Sequence, residues 1–188
     1  GGTVPAAGSD VIIANGNTVT VTANDANDPA TVTVNSGGQL TLANALTVTG
    51  TTTVSGTLLI SSATGGKTFT GNVIINNGGV WDETVAETFT FGGNLQNDGT
   101  FTANTGVHTF SGNGKTISGA NTVAIPKLTI SGSGSTSVTN NGTLTVSTTL
   151  AGSDTLINGT NATLNIGDSA ITPTLIATAT GNTVNYNG

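Results

Sequence analysis

The chain has 188 residues, of which 35% are hydrophobic and only 6% are charged, with three lysines, no arginine and nine acidic residues. The net charge of −6 leaves no basic patch to neutralise phosphates, so we expect no nucleic-acid partner. Cysteine is absent, which excludes disulfides and thiolate metal sites, and no apolar run approaches the roughly 18 residues of a transmembrane helix.

Short segments of alternating Val, Leu, Ile and Thr follow one another along the chain, separated by turns rich in Gly and Asn. β-Branched residues at alternating positions favour strands over helices. Turn pairs such as Asn15-Gly16 and Asn77-Gly78 separate the segments. In chain order, the predicted strands include 18–22, 31–34, 40–42, 46–48, 58–60, 73–75, 88–91, 128–130, 144–146 and 164–166. The chain is therefore predicted to be almost purely β.

One pattern recurs throughout the chain: a Gly or Asn turn residue followed by a short alternating strand, as in Gly38-Gln-Leu-Thr-Leu42 and Gly142-Thr-Leu-Thr-Val146. The copies begin at residues 17, 38, 56, 79, 99, 121, 142, 162 and 182. A near-constant step of this size is typical of a solenoid in which each repeat is one coil. We therefore predict an all-β fold, a parallel β-solenoid (β-helix) of about nine coils of 18–23 residues. It forms one domain over residues 1–188, uncapped at both ends and on the order of 43 Å long.

The second position after each turn residue forms an apolar column that we assign to the core, because alternate side chains of a strand point to opposite faces. The intervening column is mostly Thr and is assigned to the outside. Five phenylalanines gather around Trp81 in the middle coils and are interpreted as core. The apolar column comprises Val19, Leu40, Leu58, Trp81, Phe101, Val123, Leu144, Leu164 and Val184.

The acidic residues nearest to one another are Asp82, Glu83 and Glu87. Adjacent carboxylates on a strand point to opposite faces, and a polysaccharide-degrading enzyme would want converging carboxylates together with Arg or Lys for its substrate. His108 has no nucleophile motif or orienting acid nearby in sequence, so we expect a solvated surface histidine. These observations predict a protein that is not an enzyme and has no catalytic residues.

Oxygen ligands are spaced closely in the segment Asn24-Asp-Ala-Asn-Asp28, as in a calcium loop. The segment lacks the full spacing and the terminal Glu of a recognised calcium motif, so an acidic turn is the favoured interpretation. No cofactor or metal is expected, with calcium as the alternative.

The opening segment, residues 1–13 followed by Gly16-Asn-Thr-Val-Thr-Val21, resembles the first coil of secreted bacterial β-helical surface proteins, which are large and adhesin-like. Residues 91–104, 109–112 and 115–119 also resemble repeats common in such proteins. The resemblance implies an exported, repetitive, structural protein located outside the cell or on its surface.

Open terminal coils suggest how such a protein could assemble, because unpaired strand edges bind further strands. We expect the last coil of one copy to dock on the first coil of the next, giving a homopolymeric, head-to-tail filament. The alternative is the stalk of a surface adhesin that binds glycans or a cell surface. The residues expected at the junction are Val11, Ile13, Val19, Val21, Val184 and Tyr186.

Thr-x-Thr ranks, such as Thr18-Val-Thr20 and Thr143-Leu-Thr145, are typical of ice-binding solenoids. The companion outward column is broken by Leu59, Asp82 and Ala124, and unequal coil lengths would disturb a flat face. Since Thr is a common residue on strand surfaces, ice binding is a less favoured alternative.

Overall fold

The chain forms a parallel β-solenoid, seen in a computed structural model that describes residues 6–24, 27–132, 134, 136–168 and 170–187. Every strand pair is parallel, and the described residues contain no helix. The longest sheet stacks nine strands, which make about eight turns, a close match to the predicted nine coils. The predicted fold class is confirmed.

The strands are short and number 22 in the described part of the chain. In the first half they are β1 (Asp10–Ile13), β2 (Thr18–Val21), β3 (Thr31–Val34), β4 (Gln39–Leu42), β5 (Leu46–Val48), β6 (Thr52–Val54), β7 (Thr57–Ile60), β8 (Lys67–Phe69), β9 (Val73–Ile75), β10 (Val80–Glu83) and β11 (Phe89–Phe91). In the second half they are β12 (Leu95–Asn97), β13 (Thr100–Thr102), β14 (Val107–Phe110), β15 (Lys115–Ser118), β16 (Val123–Ile130), β17 (Ser137–Asn140), β18 (Thr143–Gly152), β19 (Thr155–Asn158), β20 (Thr163–Ile166), β21 (Thr174–Ile176) and β22 (Thr183–Tyr186).

The coils stack into three faces. Face A is the sheet β1-β3-β6-β9-β12-β15-β17-β19-β21, and face B begins as the sheet β2-β4-β7-β10-β13. Face C contains β5, β8, β11 and β14. Strands β16 and β18 are long enough to run through both the B and C positions, with a bulge between Ile125 and Lys127 in β16. Strands β20 and β22 then continue face B above the first half of β18.

The register predicted from the repeat is observed on face B. Its apolar column pairs rung by rung as Val19–Leu40–Leu58–Trp81–Phe101, and again as Val123–Leu144–Leu164–Val184. Between Phe101 and Val123 the two strands are neighbours, but their described residues form no ladder. The column is buried throughout its middle, and only Val19 in the first coil is exposed, at 42%.

The glycines of the turn pairs behave as the sequence predicts at two corners. Gly16 and Gly78 have φ values of 76° and 82°, in the left-handed region that a side chain disfavours. These two corners connect β1 directly to β2 and β9 directly to β10.

Aromatic residues fill the middle of the core, as predicted. Phe69 and Phe101 contact Trp81 with ring centroids 5.2 Å and 5.7 Å away, and Phe110 stacks on Phe91 at 5.1 Å. Trp81 itself is completely buried. The middle coils therefore have the bulkiest interior of the solenoid.

Candidate functional site

Four ionisable side chains lie inside the aromatic section of the core, where the sequence alone suggested only apolar residues. Lys67, Glu83, Glu87 and His108 are each at most 3% exposed. They belong to β8, β10, the segment before β11, and β14, so they come from three successive coils. Together with Trp81 they form what we call the buried charge cluster.

Glu83 is the centre of one half of this cluster. Its Oε1 accepts a hydrogen bond from Trp81 Nε1 at 2.8 Å and lies 2.9 Å from His108 Nε2. Its Oε2 accepts the backbone N–H of Asn104 at 2.8 Å. The carboxylate is therefore surrounded by donors from its own coil and from the next one.

His108 was expected at the surface, and that prediction is wrong: the residue is completely buried. Its ring stacks on Phe89 at 4.9 Å, and Nδ1 lies 3.2 Å from the carbonyl oxygen of Gly106. A carbonyl oxygen therefore faces one ring nitrogen and a carboxylate oxygen faces the other. Glu83 is the orienting acid that sequence reasoning missed.

Lys67 forms the other half of the cluster. Its ammonium donates to the carbonyl oxygens of Ser62, Thr64 and Gly65 at 2.8–3.1 Å, and it forms an ion pair with Glu87. The other oxygen of Glu87 accepts the backbone N–H of Thr88. Lys67 thus holds the preceding loop closed and neutralises the buried carboxylate at the same time.

Close backbone approach at Gly106 places the His108 turn against the neighbouring coil. A Cβ at this position would lie 1.6 Å from the carbonyl oxygen of Glu87, so no other residue fits without movement of the backbone. Because Gly106 has no side chain, this turn packs directly against the backbone of Glu87. The carbonyl oxygen of Gly106 then faces His108 Nδ1.

The three acidic candidates do not converge on a surface. Asp82 points outward and is half-buried, whereas Glu83 points inward, as the alternation of a strand predicts. In both Glu83 and Glu87, each carboxylate oxygen accepts a hydrogen bond within the core. Glu83 and Glu87 therefore link successive coils from inside the core, and Asp82 is the one candidate of the three that faces outward.

A second polar ladder lies on the inner side of face A. Asn140 Nδ2 donates to Asn158 Oδ1 and to the carbonyl oxygen of Thr163, both at 2.9 Å, and its Oδ1 accepts the N–H of Gly142. Asn158 in turn donates to the carbonyl of Thr183. Both side chains are completely buried, so they satisfy corner backbone groups that the core would otherwise leave unpaired.

The residues expected at the junction between copies lie in the terminal coils. Val19 and Tyr186 are 42% and 60% exposed, Val11, Val21 and Val184 are half-buried, and Ile13 is buried. The candidate calcium segment lies partly outside the described residues, because 25 and 26 are not among them. The described part of the chain contains no cluster of His, Cys, Asp and Glu that could hold a metal ion, and no helix long and apolar enough to cross a membrane.

No protein-family model matches the chain, and no curated protein or solved structure is significantly similar to it.

Proposed function

We propose that this chain is a non-enzymatic, extracellular structural protein whose coils pair end to end to build a filament. The main observation behind this proposal is the position of the exposed hydrophobic side chains. The large hydrophobic residues exposed in the described part of the chain are Ile12, Val19, Ile176 and Tyr186, and all four lie in the first or last coil.

Two of these residues occupy inward columns, and no further coil in the described part of the chain covers them. Val19 pairs with Leu40, which is 3% exposed, and Tyr186 pairs with Ile166, which is buried. One added coil at each end would bury both side chains. Burial of apolar surface and pairing of open backbone edges both favour such an addition.

The two ends also have matching shapes. The first coil presents β1 of face A and β2 of face B, and the last coil presents β21 of face A and β22 of the continued face B. Placing β21 beside β1, and β22 beside β2, continues both ladders in the parallel direction. Leu175, Val184 and Tyr186 would then meet Val11, Val19 and Val21.

A head-to-tail contact of this kind does not close on itself and therefore generates an open filament. Strand addition supplies backbone hydrogen bonds, and the matching apolar columns supply specificity. The extracellular assignment is supported by the resemblance of residues 1–13, 16–21, 91–104, 109–112 and 115–119 to secreted bacterial surface proteins, and by a composition without cysteine or methionine.

The stalk of a surface adhesin is the second candidate, and the terminal strands favour it too. Val184 and Tyr186 remain in register with Leu164 and Ile166 with no change of pattern. Flanking repeats of a longer polypeptide would add coils to the same edges, and ligand binding would then lie in those neighbours.

Cysteine trapping separates these two functions, because the natural sequence has no cysteine to interfere. Thr20 and Asn185 point outward from β2 and β22 and would become neighbours across a head-to-tail junction. Paired strands lie about 4.8 Å apart, within the Cα separation that a disulfide requires. Under mild oxidation, a Thr20→Cys/Asn185→Cys variant is expected to form a ladder of covalent multimers.

The matched control is Thr41→Cys/Asn185→Cys, since Thr41 faces outward in the same column one coil further in. It should give no ladder. Val184→Lys should abolish fibres in electron micrographs and leave a sedimenting monomer with an unchanged β-type circular dichroism spectrum. Stable monomers of the unmodified chain at all concentrations, with no trapped multimers, would exclude the filament and favour the stalk.

A further inference from the structure

Asn-Gly pairs are prone to lose the asparagine amide, because glycine has no side chain to keep its backbone nitrogen away from the asparagine Cγ. The chain contains six such pairs. Their surroundings differ enough to single out one of them. Five pairs lie wholly within the described residues, and they begin at Asn15, Asn77, Asn113, Asn141 and Asn158.

Three of these pairs are each held by hydrogen bonds. Gly142 and Gly159 donate their N–H groups to Asn140, the first to its side-chain Oδ1 and the second to its backbone carbonyl oxygen. In the third pair the asparagine is held, because Oδ1 of Asn113 accepts both the N–H and the hydroxyl of Ser137. In each case the glycine nitrogen or the asparagine side chain must first leave a partner before the two can react.

The other two pairs lie at the centre of the turns 14–17 and 76–79, which have the same form. In each turn the N–H of the last residue donates to the carbonyl of the first, at 3.2 Å and 2.8 Å, and the third residue is a glycine with a positive φ. The turns differ in one contact. Gly16 donates its N–H to the carbonyl oxygen of Gly37 in the next coil at 3.0 Å, whereas the N–H of Gly78 donates to no described residue.

The side chain of Asn77 is equally free. Asn77 and Gly78 are both exposed, and the Asn77 amide forms no hydrogen bond with a described residue. A Cβ placed on Gly78 would meet no heavy atom within 4 Å, so the space beside the pair is open. The attacking nitrogen and the amide that it attacks are therefore both unrestrained and both accessible to water.

We propose that Asn77 is a site of spontaneous deamidation. The Gly78 nitrogen loses its proton and bonds to Cγ of Asn77, and the Cγ–Nδ2 bond breaks as ammonia leaves with that proton. Water then opens the five-membered succinimide. Attack of water at Cγ restores the original main chain and leaves an aspartate. Attack at the backbone carbonyl carbon leaves an isoaspartate, whose main chain runs through Cβ and Cγ.

The isoaspartate disturbs the corner between β9 and β10, because the residue after the pair has no room to move. Gly79 is buried, and a Cβ on it would lie 2.2 Å from the carbonyl oxygen of Val54 in the preceding coil. An additional main-chain atom in the turn displaces Gly79 or the strand that follows it, which carries Trp81. Deamidation thus links the age of the chain to the stability of the coils around Trp81.

Mass spectrometry of the full chain tests the site after ageing in warm, mildly alkaline buffer. Trypsin cleaves the unfolded chain after its three lysines, which places Asn15 and Asn77 on different peptides, and fragment ions separate Asn77 from Asn113. Breaking one ordinary hydrogen bond slows a step by about tenfold, so in the folded chain Asn77 should deamidate roughly ten times faster than Asn15. In urea the two residues should react at similar rates.

Asn77→Gln is the matched variant, because it keeps an exposed amide that would have to close a six-membered ring, which forms much more slowly. The aged unmodified chain should contain isoaspartate at this position and a second population with a lower urea midpoint in Trp81 fluorescence. Aged Asn77→Gln should show neither.

Three results would overturn the proposal. They are equal deamidation of Asn77 and Asn15 in the folded chain, faster deamidation at any of the other three described pairs, and a fall in the urea midpoint that Asn77→Gln shares. The reaction takes place within one chain and away from its terminal coils, so the result does not depend on end-to-end assembly.

Discussion

Replacing Glu83 by glutamine should destabilise the middle coils strongly, although the two side chains have nearly the same shape. Glu83 accepts hydrogen bonds from Trp81 Nε1 and from the N–H of Asn104 on different oxygens. An amide has only one acceptor oxygen, so in either orientation its NH2 group faces a buried N–H. The change also removes the carboxylate that pairs with His108 Nε2, and removing one partner of a buried pair costs about 3–5 kcal/mol.

Trp81 makes this cost measurable, because it is the single tryptophan of the chain and it contacts Glu83 directly. Its fluorescence during urea unfolding therefore reports on these coils. A loss of about 3–5 kcal/mol should lower the urea midpoint by roughly 1–2 M for a chain of this size.

The control is Asp82→Asn, one residue away on the outer face, which should change the free energy of unfolding by less than about 0.5 kcal/mol. Equal midpoints for Glu83→Gln and Asp82→Asn would show that the carboxylate is not the hub that its contacts indicate.

Three further predictions concern polar side chains and the hydrogen bonds that they make. Lys67→Met should lower the free energy of unfolding, measured with urea, by about 3–5 kcal/mol, because it leaves the Glu87 carboxylate and three loop carbonyls without their donor. Lys115→Met should leave this free energy nearly unchanged. Asn140→Ala should lower stability by about 1–3 kcal/mol in the same assay by leaving the N–H of Gly142 and the carbonyl of Thr163 unpaired. Hydrogen bonds from Gln96 and from the N–H of Ala120 hold the pKa of Asp98 below its ordinary 3.8, so their stabilisation is complete above that value and is lost as the pH falls through the lowered pKa. Asp98→Asn should therefore flatten the acid limb of a plot of melting temperature against pH, and an unchanged limb would contradict this reasoning.

The architecture was predictable because the signal is repeated. Alternation places one apolar residue inward on every rung, and pairing such as Leu58 with Trp81 follows from aligning the repeats. Coil geometry then leaves little freedom, since a one-residue slip would expose the whole column. The merging of faces B and C into β16 and β18 was not predictable, because a continuous strand and two strands at a corner have the same alternation.

The buried charge cluster was missed because charged residues were assumed to face water. The same alternation contains the information needed to place them: Lys67 precedes Phe69 by two residues, Glu87 precedes Phe89 by two, and His108 precedes Phe110 by two. Residues two apart on a strand share a face, so the core aromatics fix the direction of their charged neighbours. What the sequence does not contain is the pairing across coils, which depends on how loops of unequal length set His108 against Glu83.

The buried charge cluster also gives the coils unequal evolutionary freedom. A coil whose interior is only Val, Leu and Ile, such as β3–β4, meets the same kind of surface above and below, so a copy of it can be inserted or removed with little change at the new boundary. The coils from Lys67 to His108 have no such freedom, because each presents a donor or an acceptor that only its present neighbour completes. Gain and loss of repeats should therefore be confined to the flanks, with the charged section inherited as a unit.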